Sequence, residues 1–177
     1  MDFYRKQRAN RARRRMLLMW LPAIGMAALI FGFSAQPAAA STKTSDSVTR
    51  LLLRIADATR LFDTGQDSVQ AWCERLSLPV RKTAHMAEYV IFYGTILLGL
   101  YGSGLRGKKW PLRAFSLTLF YACTDEIHQI FVPGRAGRVS DVLIDGIGAG
   151  ALTMLLYHWQ QRRERAEAGA QIKNIQK

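Results

Sequence analysis

The chain has 177 residues, of which 49% are hydrophobic, and its 25 Lys and Arg against 13 Asp and Glu give a net charge of +12. This length fits one domain, and its cysteines form no C-x-x-C metal signature and argue against a disulfide. The positive charge lies in the termini and the loops, which is typical of basic flanks around membrane spans rather than of a nucleic-acid-binding surface.

The first apolar run, residues 16–33, follows a basic tail at residues 1–15. Its roughly eighteen uncharged residues would form a helix of about 27 Å, close to the hydrocarbon thickness of a bilayer. A cleaved signal peptide is the alternative, because the alanines at 38–40 could serve as a cleavage site. The run is longer than the apolar core of most signal peptides and Pro37 lies close to the cut, so we predict a retained signal anchor.

A long polar connection, residues 34–82, comes next. Apolar residues recur within it at three- and four-residue spacing, which predicts an amphipathic helix; they are Val48, Leu51, Leu52, Ile55 and Phe62. Ser47 is the expected N-cap of this helix. A position on the membrane surface and packing of the apolar stripe on the bundle are equal alternatives. A second short helix is predicted over residues 68–78, ending at Pro79.

Three further apolar runs, residues 83–101, 110–132 and 139–159, are long enough to cross a bilayer. Glycines and alanines at 146–151 suit close helix packing, and a charged tail at 160–177 ends the chain. The sequence therefore predicts an all-α fold. We expect a four-span transmembrane helical bundle with an amphipathic helix in its first extracytoplasmic loop.

Basic residues also predict the orientation of this membrane domain, residues 16–159. Lys and Arg are dense in both tails and in the loop at 102–109, whereas the long connection mixes its arginines with acids. Short cytoplasmic segments carry the excess of Lys and Arg in membrane proteins. Both termini are therefore expected in the cytoplasm, and the connection at 34–82 on the opposite side.

A set of polar side chains interrupts the apolar runs near one membrane boundary. These residues lie at the start of the second run, the end of the third, the turn that follows and the start of the fourth: His85 and Glu88; Asp125, Glu126, His128 and Gln129; Arg135 and Arg138; Asp141 and Asp145. Ionisable groups cost free energy inside segments that are apolar enough to cross a membrane, so they are functional candidates by default. Because all of them fall within about two helical turns of the outer boundary, we predict one polar pocket that faces the extracytoplasmic side.

Their chemistry predicts two sets of roles within this pocket. The expected catalytic acid–base groups, or ligands of a divalent metal whose identity is unknown, are His85, Glu88, Asp125, His128 and Asp145. The expected ligand-binding groups are Arg135, Arg138, Glu126, Gln129 and Asp141. The two arginines suit an anion such as phosphate. Glu126 lies off the helix face of Asp125, so one of these two acids is expected to pair with an arginine.

At these residues the chain resembles the VanZ-like family of small integral membrane proteins, named for a protein linked to teicoplanin resistance. The resemblance is carried by S-A-Q-P at 34–37, R-K-T-A-H-M-A-E-Y at 81–89, T-D-E-I-H-Q-I-F-V-P-G-R at 124–135, Asp141 and Asp145. It covers residues 20–158 and implies a multi-pass protein of the bacterial cytoplasmic (inner) membrane with a link to glycopeptide resistance. It implies no particular reaction, substrate or cofactor.

Several functions fit this pattern. The first is a protein that binds or acts on an envelope or lipid-linked ligand bearing phosphate. The enzymatic alternative is a membrane-embedded hydrolase. The structural alternative is a polar network that locks the helices together, with His85 and Glu88 paired to Arg81 or Arg135. A channel or transporter fits less well, because the inner halves of the spans lack polar residues. The expected partners are membrane lipids, an anionic ligand and further copies of the chain.

Overall fold

The computed structural model describes residues 2–59 and 69–175. Within these ranges the chain forms helices and no strand: α1 is Asp2–Ser34, α2 is Ala38–Ala58, α3 is Val69–Gly102, α4 is Trp110–Gln129 and α5 is Val139–Ile175. The prediction of an all-α fold is confirmed. The helices extend beyond the predicted spans, since the basic tail continues into α1 and the charged tail into α5.

Helix α3 is central and packs against each of the other four helices. Its aromatic side chains form the core, in which Tyr89 and Tyr93 are fully buried and Phe92 lies beside them. Tyr121 of α4 closes this core, because its ring lies 4.9 Å from that of Phe92 and its hydroxyl donates to the Ala27 carbonyl of α1 at 2.6 Å. These contacts fix α3 relative to α1 and α4.

Small residues let α5 approach α3 and α4 closely, which confirms the prediction for this stretch. A Cβ added at Gly148 would collide with Val90 of α3, and one at Gly146 would lie 2.7 Å from the Leu119 side chain of α4. Such distances are shorter than the optimal carbon–carbon separation of about 3.5–4.0 Å. The first turns of α5, which carry Asp145, are therefore held tightly against the bundle.

Two of the described helices, α1 and α5, are long and apolar enough to cross a membrane. Both expose large hydrophobic side chains, among them Leu21, Ile24, Leu143 and Ile147. α3 and α4 do not meet the same criterion, because polar residues near one end of each lower their hydropathy. The structure thus supports a membrane protein with two candidate spans, and the four-span topology stays a prediction.

Helix α2 occupies the position of the predicted amphipathic helix, but its apolar stripe faces outward. The side chains buried against α3 are Ser41, Ser45, Thr49 and Leu53. The stripe itself, Val48, Leu51, Leu52 and Ile55, is about half exposed. The alternative in which the apolar stripe packs on the bundle is therefore wrong for these residues. Phe62, also predicted to belong to the stripe, lies outside the described ranges.

Two predicted helix boundaries are wrong. α2 begins at Ala38, well before Ser47, whose hydroxyl donates to the Lys43 carbonyl inside the helix at 2.9 Å. α3 continues through Pro79, so no separate short helix ends there. A proline in a helix interior costs about 3 kcal/mol, and the packing of α3 against its neighbours outweighs that cost. Residue 68, the predicted start of the short helix, lies outside the described ranges.

Candidate functional site

The polar residues gather at one end of the bundle, where several segments meet. These are the α1–α2 junction at residues 34–37, the α3 turns around His85, the end of α4, and the turn at 130–138 with the start of α5. The backbone N–H of Ala38 donates to the Pro133 carbonyl at 3.2 Å. The Arg135 guanidinium donates to the Gln36 carbonyl as well, so the S-A-Q-P and V-P-G-R segments, which are distant in sequence, are in contact.

Two glycines shape the turn between α4 and α5. Gly134 has a φ of 75°, a left-handed conformation that glycine adopts at little cost. A Cβ added at Gly137 would collide with the backbone carbonyl of Glu126. The turn therefore lies directly on the end of α4, and this contact places Arg135 and Arg138 beside its carboxylates.

Arg135 ties three segments together. Its guanidinium donates to the backbone carbonyls of Gln36 at 2.9 Å and Phe33 at 3.3 Å, and to the side-chain oxygen of Gln129 at 3.4 Å. The carboxyl end of a helix leaves carbonyls without internal partners and favours a cation, as found here after α1. Burial, and then the charge of nearby Arg81, lower the pKa of Arg135 from its usual value, while nearby carboxylates oppose this shift. Arg135 thus has a structural role and keeps part of its donor set free.

A polar cavity of about 240 Å³ opens beside Arg135. Its charged and polar wall consists of Arg81, Lys82, His85, Glu126, Gln129, Arg135, Arg138, Asp141 and Asp145. Lys82 binds Asp141 at 2.7 Å, whereas none of the three guanidinium groups forms an ion pair within residues 2–59 and 69–175. The polar cavity therefore brings together most of the predicted residues and presents arginine charge that is not held by an acid.

Gln129 joins the two carboxylates at the end of α4. Its amide donates to Asp125 Oδ2 at 3.1 Å and to Glu126 Oε1 at 3.2 Å, and Glu126 Oε2 accepts from the backbone N–H of Arg138 at 2.8 Å. The expected ion pair between one of these acids and an arginine side chain is absent among the described residues. Glu126 instead lines the polar cavity, and Asp125 lies behind it, 4% exposed.

His85 and Glu88 form a pair on one face of α3, as their spacing predicts. Nδ1 of His85 lies 3.2 Å from Glu88 Oε2. His85 lines both the polar cavity and a second cavity of about 210 Å³, and Glu88 lines the second cavity alone. The network in which these two residues pair with Arg81 or Arg135 is not the one observed, since within the described residues they bind each other.

Two buried carboxylates face the hydroxyl of Tyr89. Asp145 is 6% exposed, and no hydrogen bond from the described residues reaches its carboxylate. Tyr89 is fully buried, and its hydroxyl interacts electrostatically with Asp125 and Asp145. The Tyr89 hydroxyl is a donor and the Asp125 carboxylate an acceptor, and among the residues described neither the hydroxyl nor Asp125 Oδ1 has another hydrogen-bond partner. Tyr89 and Asp125 are therefore best described as facing each other behind the cavity wall.

His128 lies apart from the polar cavity. Its ring packs against Phe31 of α1 with 4.4 Å between centroids, and its Nδ1 is buried without a partner among the described residues. The side chain that contacts Asp125 is Gln129, one residue further along α4. Asp125 and His128, which were both expected to be acid–base groups, therefore form no hydrogen bond with each other in the described part of the chain.

Three residues belong to the site although the sequence pattern did not assign them to it: Arg81, Lys82 and Tyr89. All three lie in the R-K-T-A-H-M-A-E-Y stretch. Lys82, His85 and Tyr89 recur there at three- and four-residue spacing, which places them on one helix face. Extending the helical spacing from His85 in both directions is the signal that could have identified Lys82 and Tyr89.

No group of three or more His, Cys, Asp and Glu side chains in the described ranges is arranged to hold a metal ion. A family model described as VanZ/LLP1 matches residues 19–160, most of the chain and the whole of the polar cavity. No curated protein and no solved structure matches the chain.

Proposed function

The chain belongs to the VanZ-like family, and from that premise we propose that it is a four-span membrane protein whose polar cavity binds an anionic, phosphate-bearing ligand of the cell envelope. The ligand enters from the extracytoplasmic side and lies between α2, α3 and the turn before α5. Both termini lie in the cytoplasm.

The observation that carries this proposal is the set of arginines around the polar cavity that lack an acid partner among the described residues: Arg81, Arg135 and Arg138. The Arg81 guanidinium donates to neutral hydroxyls, those of Thr42 at 2.7 Å and Ser45 at 3.3 Å. Arg81 and Arg135 line the same cavity, and their like charges repel each other. A phosphate between them relieves that repulsion and accepts the paired hydrogen bonds that guanidinium groups offer.

The outward faces of α3 and α4 support the four-span topology. These helices fall short of the hydropathy criterion for a span, yet they expose large apolar side chains: Ile91 and Leu98 on α3, Leu117 and Phe120 on α4. Contiguous apolar faces of this kind are expected in lipid rather than in water. The basic loop at 102–109 and the basic tails lie at the end opposite the polar cavity, which fits a cytoplasmic position.

Native mass spectrometry of the purified protein in detergent tests the binding proposal. Dioleoyl phosphatidic acid is the probe, and dioleoylglycerol, which has the same chains and no phosphate, is the control. We expect the phosphorylated lipid to bind preferentially. Arg81→Gln combined with Arg138→Gln should lower its affinity by about tenfold or more, because a hydrogen bond to a charged group contributes about 1.5–3 kcal/mol.

Arg113→Gln removes an exposed arginine at the opposite end of the bundle and should leave binding unchanged. Equal binding of the two lipids would contradict the proposal. An unchanged affinity in the double arginine variant would contradict it as well.

A second function, hydrolysis of the bound ligand, is favoured by the His85–Glu88 pair on the cavity wall. A histidine oriented by a carboxylate at 3.2 Å has the arrangement of a general base. Water deprotonated by His85 would attack the phosphorus of phosphatidic acid, and the P–O bond to the glycerol oxygen would break. Diacylglycerol would leave with the proton returned by His85, and inorganic phosphate would be released. His85→Gln would abolish phosphate release without weakening lipid binding. If wild-type protein binds the lipid and releases no phosphate, hydrolysis is ruled out for this substrate.

We also propose a role in glycopeptide resistance, which rests on family membership alone. Expression of the wild-type chain should raise the teicoplanin concentration that inhibits growth of a susceptible host. Asp145→Asn, expressed to the same membrane level, should not. Equal inhibition with and without the wild-type chain would contradict this role.

A further inference from the structure

Three cavities follow one another along α2 and α3. The polar cavity shares Arg81, His85 and Arg135 with the second cavity, and the second cavity shares Val80 with a third of about 230 Å³. Because neighbouring cavities have lining residues in common, they form a row. The row leads from the charged end of the site towards the first turns of α3, so its apolar end lies within the connection at 34–82, on the extracytoplasmic side of the proposed spans.

The lining of this row changes from charged to apolar. In the second cavity, Phe33, Val48, Val80 and Ala84 stand beside the charged residues Arg81 and Glu88. The third cavity is lined by Thr49, Leu52, Leu53, Ala56, Leu76 and Val80. No charged side chain lines the third cavity among the residues described, so the row has one anion-attracting end and one apolar end.

The buried face of α2 explains why space is left between the two helices. Apart from Leu53 its residues are short, and two of their hydroxyls are satisfied within α2: Ser45 donates to the Ser41 carbonyl at 3.0 Å, and Thr49 donates to the Ser45 carbonyl at 2.8 Å. These groups require no partner on α3. Short side chains on this face leave a groove along α3 that larger apolar residues would have filled.

We infer that the ligand of the polar cavity is a lipid, with its phosphate-bearing headgroup at Arg81 and Arg135 and its apolar chain in the groove between α2 and α3. The inference rests on the proposed function. Charge complementarity sets the direction, since the arginines stand at one end of the row and apolar side chains line the other. A soluble phosphate compound would fill the first cavity and leave the apolar row empty.

Isothermal titration of the purified protein with two probes tests the role of the chain. The probes are dioleoyl phosphatidic acid and glycerol 3-phosphate, which has the phosphate without the chains. We expect the lipid to bind at least about tenfold more tightly, because its chains are removed from water when they enter the groove. Equal affinity for the two probes would overturn the inference.

A matched pair of variants on α2 locates the chain. Val48 lines the second cavity and is 43% exposed, and Leu51 is 58% exposed and lines none of the three cavities. Val48→Trp should weaken lipid binding by about tenfold and leave glycerol 3-phosphate unaffected, whereas Leu51→Trp should change neither. Ala84→Phe blocks the same cavity from α3 and should reproduce the effect if Val48→Trp lowers the melting temperature.

The two proposals fail in different ways. Suppose that Arg81→Gln weakens the binding of both probes, while Val48→Trp and Ala84→Phe change the affinity for neither. The anion site then stands, and the lipid inference is overturned. If Arg81→Gln changes the affinity for neither probe, the proposed function itself is overturned.

Discussion

The two ends of the bundle carry charge in opposite ways. At the end away from the polar cavity, charged side chains are exposed and paired, as Lys108 with Glu164 at 2.8 Å and Arg163 with Glu167 at 2.9 Å. At the cavity end Lys82 and Asp141 also form a pair, but Asp145 is buried without a hydrogen bond from the described residues, and the cavity arginines have no acid partner among them. Exposed pairs contribute little to stability, whereas buried charge without a partner costs free energy. This difference is the reason for proposing the ligand site at the cavity end rather than at the opposite, solvated end.

The largest expected effect is that of Arg135→Ala on stability. The variant leaves the carbonyls of Phe33 and Gln36 and the Gln129 side chain without the guanidinium donor. Two of these hydrogen bonds are part-buried and one is exposed, and the Phe33 carbonyl still accepts from the Gln36 N–H. Because each hydrogen bond from a charged donor contributes about 1.5–3 kcal/mol, we expect a loss of about 3 kcal/mol in the free energy of unfolding. Thermal unfolding in detergent measures this loss.

Arg163→Ala is the matched change at the opposite end, where the side chain is 65% exposed. Its effect should stay within about 0.5 kcal/mol. Equal losses from the two alanine variants would remove the contrast between the ends.

Substitution of a glycine in each loop sharpens the comparison. Gly137→Ala places a Cβ against the Glu126 carbonyl, so we expect a loss of about 1–3 kcal/mol together with displacement of Arg138 and weaker binding of phosphatidic acid. Gly104 has a φ of 76° and open space around it, so alanine there should cost about 1 kcal/mol and leave binding intact. Loss of binding in Gly104→Ala, or intact binding in Gly137→Ala, would contradict the placement of the site.

Removing the buried carboxyl group at Asp145 should separate stability from function. Asp145→Asn keeps the shape of the side chain and removes a buried carboxyl group that no hydrogen bond from the described residues reaches, so the free energy of unfolding should be unchanged or rise by about 1 kcal/mol. Resistance or ligand turnover that depends on the carboxylate should be lost, whereas binding of phosphatidic acid should not weaken, because a negative charge has been removed from the cavity wall. A variant that unfolds more readily would indicate that the carboxylate is structural. Glu164→Gln, at the exposed end, should change neither property.

The smallest effect is expected for Lys108→Gln. The hydrogen bond to Glu164 raises the pKa of Lys108, but the side chain is fully exposed, and water and salt screen its charge. We therefore expect no measurable change in melting temperature or in lipid binding. A clear drop in either would mean that this end of the bundle also depends on its charges.

Much of the fold was accessible from sequence, because apolar runs and local spacing report directly on helices. The pair of His85 with Glu88 and the close packing at Gly148 belong to this class. Both depend on neighbours along one helix or on the size of one residue. The gathering of acids and arginines at one end also followed, because antiparallel helices bring alternate loops together.

The features that could not be predicted from sequence depend on the tertiary environment of each side chain. An apolar stripe faces inward in water and outward in lipid, so the pattern of α2 did not reveal that Ser45 and Thr49 form its buried face. The partners of Arg135 are mainly backbone carbonyls, which carry no sequence signal. His128 and Gln129 differ by one position and so point in different directions, and only the packing of α1 against His128 separates their roles.

The most direct test is the labelling of Ala136→Cys, a cavity-lining position, in a background of Cys73→Ser and Cys123→Ser. In right-side-out membrane vesicles, a membrane-impermeant maleimide should label this cysteine, and dioleoyl phosphatidic acid should slow the reaction where dioleoylglycerol does not. Lys109→Cys, in the opposite loop, should react only after the vesicles are opened. Labelling of Lys109→Cys in closed vesicles, or a rate at Ala136→Cys that phosphatidic acid leaves unchanged, would contradict an anion site on the extracytoplasmic face.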